Sequence, residues 1–453
     1  MTKVHFIAIG GSAMHNLAIA LKIKGFEVTG SDDEIFDPAR SRLEKYGILP
    51  DSEGWKPSRI DTGIDAVILG MHARGDNPEL LRAMELGLKI YSYPEYLYEQ
   101  SKDKTRVVIA GSHGKTTITS MILHALHHAG VETDYMVGAQ LEGFGVMVKL
   151  TGTSRYMILE GDEYLSSALD RRPKFHLYKP DIALISGIAW DHMNVFPTFE
   201  NYVDQFMQFV NLLETNGRLI YCEDDPEVQR LVQLARHDIR RIPYGNIEYV
   251  VNEKVTSLIW KGKQVPLKIF GRHNLQNLNG AWLVCRELGV SDMQFLEAIS
   301  SFAGASKRLQ LLWSNSSTSI YKDFAHSPSK LKATIQAVKE QYPGRELIAC
   351  LELHTYSSLN KDFLPQYRGC MDLADQPIVY YSKHALALKR LPDLTHDEVR
   401  EAFSDPRLKI FNDSEELQQY LQQIDLNKRN LLLMSSGNFD GLNLTTLASS
   451  TIH

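Results

Sequence analysis

The sequence predicts an α/β protein of three domains with mainly parallel sheets. Three observations carry this. Short β-type runs alternate with helix-period segments along the whole chain, which is the pattern of strand–helix layers. Two strand–helix junctions carry glycine turns, at Gly10–Gly11 and Gly111–Gly114, where a helix N-terminus meets the end of a strand. The chain has 453 residues, and ~100–200 residues per domain allows two to four. The blocks divide it into residues 1–103, 104–303 and 304–453.

The first block opens with the strand run VHFIAIGG (Val4–Gly11). A helix with Met14, Leu17, Ala18 and Leu21 on one face follows, and then the strand FEVTGSD (Phe26–Asp32). The strand DAVILG (Asp65–Gly70) precedes the loop HARGDNPE and a helix over Leu80–Leu86, and the polar run EQSKDK (Glu99–Lys104) reads as a linker. The second block opens with RVVIAGSHGKTT (Arg106–Thr117). Its helix has a stripe of Ile118, Met121, Ile122, Ala125, Leu126 and Ala129, and Gly130 sits where a left-handed stop is expected. Strands YMILE (Tyr156–Glu160) and DIALIS (Asp181–Ser186) follow, and a helix starts near GRHNLQNLN (Gly271–Asn279). The third block alternates SIYKDF, a helix over Ser329–Glu340, ELIACLE, PIVYYS and NLLLMSS.

Composition excludes several classes. Apolar residues at 43% and charged residues at 23% are globular values. Lys plus Arg is 49 against 55 for Asp plus Glu, a net charge of −6, which argues against a nucleic-acid polymer as partner. No run approaches the ~20 apolar residues of a membrane span. The start MTKVHFIAIGG enters a strand pattern without a secretory leader. Cys222, Cys285, Cys350 and Cys370 are scattered, as reduced buried thiols would be. A cytoplasmic protein is expected.

GSHGKTT (Gly111–Thr117) is the strongest local signal. Backbone N–H groups of a glycine loop can approach phosphate oxygens, a lysine can reach the β/γ-phosphates, and a Ser/Thr hydroxyl can bind Mg²⁺. With Ile109 where the long form has glycine, the loop is a shortened GxxGKT. A glycine turn with an incidental lysine is the bland alternative. Glu160 ends the strand YMILE, and Asp191 and His192 follow the strand ending at Ser186, so Lys115, Glu160 and His192 sit at the strand ends where ligands collect. Taken singly, Glu160 and His192 read more readily as solvated loop residues than as ligands; taken together with the loop, the balance reverses. Gly10–Gly11, with Asp32 22 residues beyond Gly10, reads either as a partial dinucleotide fingerprint or as a turn presenting a diphosphate to a helix N-terminus. His273 and Asn277 lie one helical turn apart, Lys307–Arg308 reads as an exposed pair, and Asp323 and His326 follow a strand where a helix cap is the ordinary alternative.

In order along the chain, IGGSAM, TGSD, GSHGKTT, EGDE, WDHMNVF, GRHNLQN and KDFAHSP resemble the motifs of the Mur ligase family, the ATP-dependent amide ligases of peptidoglycan metabolism. The resemblance covers essentially the whole chain. It implies an N-terminal Rossmann-like UDP-binding domain, a central P-loop ATPase-type domain and a C-terminal Rossmann-like α/β domain that takes the amine substrate. It further implies a UDP-sugar site at Gly10, Gly11, Ser12, Ala13, Met14, Ser31 and Asp32, with His72 and Arg74 beside it. ATP would lie on Gly111, Ser112, His113, Gly114, Lys115, Thr116 and Thr117, with His273, Asn274 and Asn277 on the adenine side and Arg308 at the γ-phosphate. Mg²⁺ would be held by Thr116, Glu160 and His192, and Lys115, Glu160, His192, Arg308 and Asp323 would carry the chemistry. The amine substrate would meet His326, Glu352, His354 and Tyr356.

Within the family, DRRPKFHLY (Asp170–Tyr178), DFAH and MSSGNFDGL (Met434–Leu442) resemble the subgroup that joins UDP-N-acetylmuramate to the recovered tripeptide L-Ala-γ-D-Glu-meso-diaminopimelate. The subgroup that adds L-alanine is next. Gly187 and Ala189 stand where these ligases usually carry Asn and Glu, and Ser327 where a second His is usual. Phe199–Phe209 holds no lysine that could be carbamylated, as expected of both subgroups. The partners implied are UDP-N-acetylmuramate, ATP and a murein peptide or amino acid, with the chain a monomer or weak dimer. A switch ATPase, an NAD-dependent oxidoreductase and a binding-only relative are the rival classes.

Overall fold

The computed structural model describes residues 1–139 and 144–443. The chain divides into two compact units: Met1–Ile188 with Val203–Tyr244 and Gly280–Gln294, and Ala189–Tyr202 with Gly245–Asn279 and Phe295–His453.

The first unit contains two sheets. One has four parallel strands in the order Glu27–Ser31, Lys3–Ile7, Ala66–Leu69, Ile90–Ser92, with Val4 registered on both Val28 and Ala66. The other has seven strands in the order Arg240–Tyr244, Arg218–Cys222, Ile182–Ile185, Thr105–Ala110, Tyr156–Glu160, Thr133–Met136, Val148–Lys149, and only the last pair is antiparallel. Its central strands are continuous apolar runs. Val107–Ala110, Met157–Leu159 and Ile182–Ile185 are fully buried, because helices cover both faces of a parallel sheet. The helix Lys115–His128 lays Ile118, Met121, Ile122, Ala125 and Leu126 into that core. Gly130 ends it in the left-handed region at φ 70° while Val131 N donates to Leu126 O at 2.9 Å.

The polar run Glu99–Lys104 closes the helix Tyr93–Glu99 with a hydrogen-bonded turn. Buried Arg106 gives its Nη1 to the carbonyls of Ser101, Lys102 and Lys104 at 3.3, 3.1 and 3.0 Å. Its Nε goes to Tyr178 O and Lys179 O at 3.1 and 2.8 Å.

The second unit contains a six-stranded sheet ordered Gln310–Ser314, Ser319–Asp323, Arg429–Met434, Glu346–Leu353, Gln376–Tyr381, Lys409–Phe411, parallel apart from its first strand. Alternate residues feed two cores. Leu347, Ala349, Leu351, Leu432 and Met434 pack on one face, and Ile348, Cys350, Leu431 and Leu433 on the other. It also holds a three-stranded antiparallel sheet, Tyr249–Asn252, Val255–Trp260 and Lys263–Leu267, which the strand–helix alternation did not anticipate. Its two-residue turns, Glu253–Lys254 and Lys261–Gly262, put both central residues at positive φ (47° and 69°, 49° and 75°), the twist that suits tight hairpins. The four cysteines are free and buried, and among the described residues no helix is long and apolar enough to cross a membrane.

Candidate active site

The phosphate loop joins the strand Thr105–Ala110 to the helix Lys115–His128, with Gly114 at φ 80° just before the helix. The neighbouring strand end fastens it: Ser112 N donates to Gly187 O at 2.9 Å, and the Ser186 hydroxyl donates to His113 O. Gly187 answers to the same packing. A Cβ there would stand 2.6 Å from His113 Cε1 and 3.1 Å from Asp225 Oδ2, so the His113 ring occupies the room that a larger residue would need.

Lys115 is tied in two directions, to Gly111 O at 2.7 Å and to Glu163 Oε2 at 2.6 Å, and the Glu163 carboxylate is buried. Burial alone would lower the Lys115 pKa. Glu163, Asp162 and Glu160 outweigh it and hold the ammonium above its ordinary value. Thr116 donates to Glu160 Oε1 at 2.8 Å while Gly138 N donates to Oε2 at 2.8 Å. Asp162 takes Lys174 Nζ at 2.6 Å and Tyr164 N at 3.1 Å. Thr116 and Glu160 thus present a hydroxyl and a carboxylate side by side, the oxygen donors that Mg²⁺ prefers when phosphate and water complete its shell. Among the described residues no group of three or more His, Cys, Asp or Glu converges as a protein-only metal cage. Glu163 was not singled out as a site residue from the sequence, although the EGDE segment contains it.

The first glycine turn is built differently. Gly10 N donates to Asp32 Oδ2 at 2.7 Å. Burial raises the Asp32 pKa to about 7, its hydrogen bonds from Gly10 and Asp33 notwithstanding. Gly11 leads into the helix Ser12–Ile23, on which Ser12 and Ala13 are exposed and Met14 is buried. His72 and Arg74 are exposed on the loop between Ala66–Leu69 and Pro78–Glu85. Ser31 departs from the expectation of a substrate contact. It is fully buried and gives its hydroxyl to Glu79, which is also bonded to His5 at 3.2 Å and Lys56 N at 2.7 Å.

The second unit holds the other candidates, so the proposed metal set is divided: Thr116 and Glu160 belong to the first unit and His192 to the second. His192 adopts a left-handed φ of 55°. Its N–H is bonded to Asp191 Oδ1 at 2.8 Å. Asp323, expected at the nucleotide or amine, spends its carboxylate on the backbone: Leu309 N donates to it at 2.6 Å and Ala325 N at 2.7 Å. It thereby braces the turn that carries Arg308, whose guanidinium stacks on Phe324 at 4.4 Å. His326 is buried, with Nδ1 bonded to Phe324 O at 2.8 Å. Asn274 caps its own turn by donating to Phe270 O at 2.9 Å; Asn277 is buried and His273 is half-buried on the same helix. Burial lowers the His273 pKa against the pull of Asp323. Glu352, expected to face substrate, is 1% exposed and accepts from the Ser435 hydroxyl and from Phe439 N at 2.8 Å. His354 and Tyr356 just beyond it are half-exposed.

A phosphate loop with paired carboxylates, a second glycine turn and a sheet bearing strand-end polar groups describe an α/β enzyme that handles nucleotide phosphates. The profile of the Mur ligase family catalytic domain matches residues 3–105 and that of the Mur ligase middle domain residues 109–285. The UDP-N-acetylmuramate–L-alanine ligase of Desulforamulus reducens is 31% identical over 379 residues, 80% of this chain and 79% of that protein. The chain therefore belongs to the Mur ligase family and is an ATP-dependent ligase that forms a C–N bond. Among solved structures, the Neisseria meningitides UDP-N-acetylmuramate:L-alanyl-γ-D-glutamyl-meso-diaminopimelate ligase matches with a TM-score of 0.60 and 28% identity, covering 67% of this chain and 98% of that one. The Thermotoga maritima UDP-N-acetylmuramate–alanine ligase shares the fold at a TM-score of 0.71 and 19% identity, covering 99% of this chain and 98% of that one.

Proposed function

We propose that this enzyme joins the lactyl carboxylate of UDP-N-acetylmuramate to the free amine of the murein tripeptide L-Ala-γ-D-Glu-meso-diaminopimelate, in the cytoplasm. The observation that carries the ligase chemistry is the Lys115–Glu163 and Thr116–Glu160 pairing at the phosphate loop. The choice of tripeptide is supported by likeness to the Neisseria enzyme, by the DRRPKF segment, whose Lys174 is paired with Asp162, and by MSSGNFDGL, whose Phe439 N is held by Glu352.

In this reading the UDP-sugar carboxylate attacks the γ-phosphorus of ATP, the bond to ADP breaks, and an acyl phosphate forms. The amine then attacks the acyl carbon, loses a proton and expels inorganic phosphate. A carboxylate is a poor acyl donor because oxide leaves badly, and phosphorylation replaces it with a good leaving group. Phosphoryl transfer needs positioning and charge neutralisation more than covalent help. Lys115 exchanges Glu163 for phosphate oxygens when nucleotide enters, and Arg308, held on its turn by Asp323, meets the γ-phosphate. Thr116 and Glu160 would hold Mg²⁺, with His192 at a second ion, and the metal would add charge neutralisation. Residues 1–103 would carry the UDP-sugar, 104–303 the ATP and 304–453 the amine substrate.

The test is phosphate release with UDP-N-acetylmuramate and ATP, comparing tripeptide with L-alanine. A kcat/KM at least tenfold higher for tripeptide supports the reading. The reverse preference establishes the L-alanine ligase, the second reading, which the name of the Desulforamulus relative favours. Phosphate release independent of UDP-sugar overturns both.

A further inference from the structure

We infer that Lys330 is a positioning residue for His192, acting through Asp191; this rests on the proposed reading of His192 as a metal ligand. His192 is a non-glycine residue at φ 55°, a conformation that persists only where its surroundings impose it. Asp191 Oδ1 takes the His192 N–H at 2.8 Å, and the His192 carbonyl accepts from Val195 N at 2.8 Å and Phe196 N at 2.9 Å. The turn is therefore only as well placed as the Asp191 carboxylate.

That carboxylate is buried, and a buried carboxylate needs a countercharge. Among the described residues, Lys330 Nζ at 3.7 Å and His326 Nε2 at 3.9 Å lie within ion-pair distance of its Oδ2, and the His192 ring acts on the same carboxylate. His326 is a poor countercharge. Its Nδ1 is bonded to Phe324 O at 2.8 Å, and burial pushes its pKa down to about 3, leaving the ring neutral. Lys330 supplies the charge. It lies in the first turn of the helix Pro328–Gln341, a turn that holds no acidic residue and where the helix dipole disfavours cations. The turn is anchored on both flanks to the same unit: Trp190 packs edge-on against Phe363 at 6.1 Å, and Met193 N donates to Ser357 Oγ at 3.4 Å. Lys330 thus acts on His192 through one intermediate, holding the carboxylate that accepts from its backbone N–H and so placing the turn that carries the ring.

The experiment titrates the full-length protein with Mn²⁺ in the presence of a non-hydrolysable ATP analogue, reading free Mn²⁺ by electron paramagnetic resonance and melting temperature separately. His192→Ala identifies the Mn²⁺ equivalent concerned. Lys330→Met is expected to weaken that equivalent about tenfold, the effect typical of losing an outer partner, and Lys330→Arg to stay within threefold of the parent. Asp191→Asn combined with Lys330→Met should be no weaker than Asp191→Asn alone, because the two act through one contact. Weakening by His192→Ala with parental affinity in Lys330→Met, whatever its melting temperature, overturns the positioning role. Parental affinity in His192→Ala overturns the metal reading itself and the inference with it.

Discussion

Two glycine turns in the first unit join a strand end to a helix N-terminus, and they solve different electrostatic problems. At Gly111–Gly114 the turn is surrounded by formal charge: Lys115 on Glu163, Thr116 on Glu160, Lys174 on Asp162. At Gly10–Gly11 the acidic neighbour is Asp32, bonded to Gly10 N and buried enough that its pKa rises to about 7. The first arrangement is an ion-pair network that an incoming polyphosphate can rewire by exchanging carboxylate for phosphate. The second offers helix N–H groups and a carboxylate ready to accept from a hydroxyl, which suits a diphosphate with a ribose. The same backbone device is set among ion pairs in one place and beside a carboxyl that titrates near neutrality in the other, and the difference lies mainly in the residues that follow the adjoining strands.

The largest effect separating the two turns is expected from Lys115→Ala. UDP-sugar-dependent phosphate release should vanish, and stability should fall by about 3–5 kcal/mol because Glu163 is left buried without its partner. Lys115→Ala with Glu163→Gln should recover the stability, measured by denaturant unfolding, but none of the activity. Recovery of turnover in the double variant would mean that the lysine serves the fold alone.

Gly187→Asn comes next. Its side chain would displace the His113 ring, costing about 1–3 kcal/mol for overpacking and raising the KM for ATP while leaving the KM for UDP-sugar unchanged. An unaltered KM for ATP would detach His113 from nucleotide binding.

Asp32→Asn acts on the other turn. Because the Asp32 pKa in the folded chain lies above its unfolded value, the native state holds a proton that the unfolded chain releases. Stability from that proton is present at low pH and declines as pH rises towards about 7. The asparagine variant, which cannot titrate, should therefore gain melting temperature relative to the parent between pH 5 and pH 8, while its KM for UDP-sugar rises and that for ATP does not. A pH-independent difference would place the Asp32 pKa near the ordinary carboxylate range. Ser31→Ala should do least. It removes one buried hydroxyl from Glu79 at a cost of about 1–2 kcal/mol, with the UDP-sugar KM within twofold of the parent; a larger change would return Ser31 to the substrate site.

Legibility followed the strength of local patterning. The run YMILE predicts a strand whose bounds, Tyr156–Glu160, the structure reproduces, and the helix after Lys115 buries most of the stripe read from its period. The antiparallel sheet Tyr249–Leu267 escaped because its strands are half polar and its turns use Glu, Lys and Gly rather than Asn-Gly. At the candidate site, residue type was readable and commitment was not. Asp323, Glu352 and Ser31 have the right chemistry at the right strand ends, yet each is engaged by partners 14 to 87 residues away, Leu309, Phe439 and Glu79 among them. A lone sequence gives no sign of which carboxylate is already spoken for. The Glu163 partnership with Lys115, 48 residues apart, was hidden for the same reason.

The Arg106 clamp carries a consequence for anyone dissecting the chain. A cut between residues 103 and 104, which composition recommends, removes the carbonyls of Ser101 and Lys102 from a guanidinium that remains among backbone oxygens. The segment that looks most like a hinge is cross-braced. Fragments divided there would each inherit an unfinished edge.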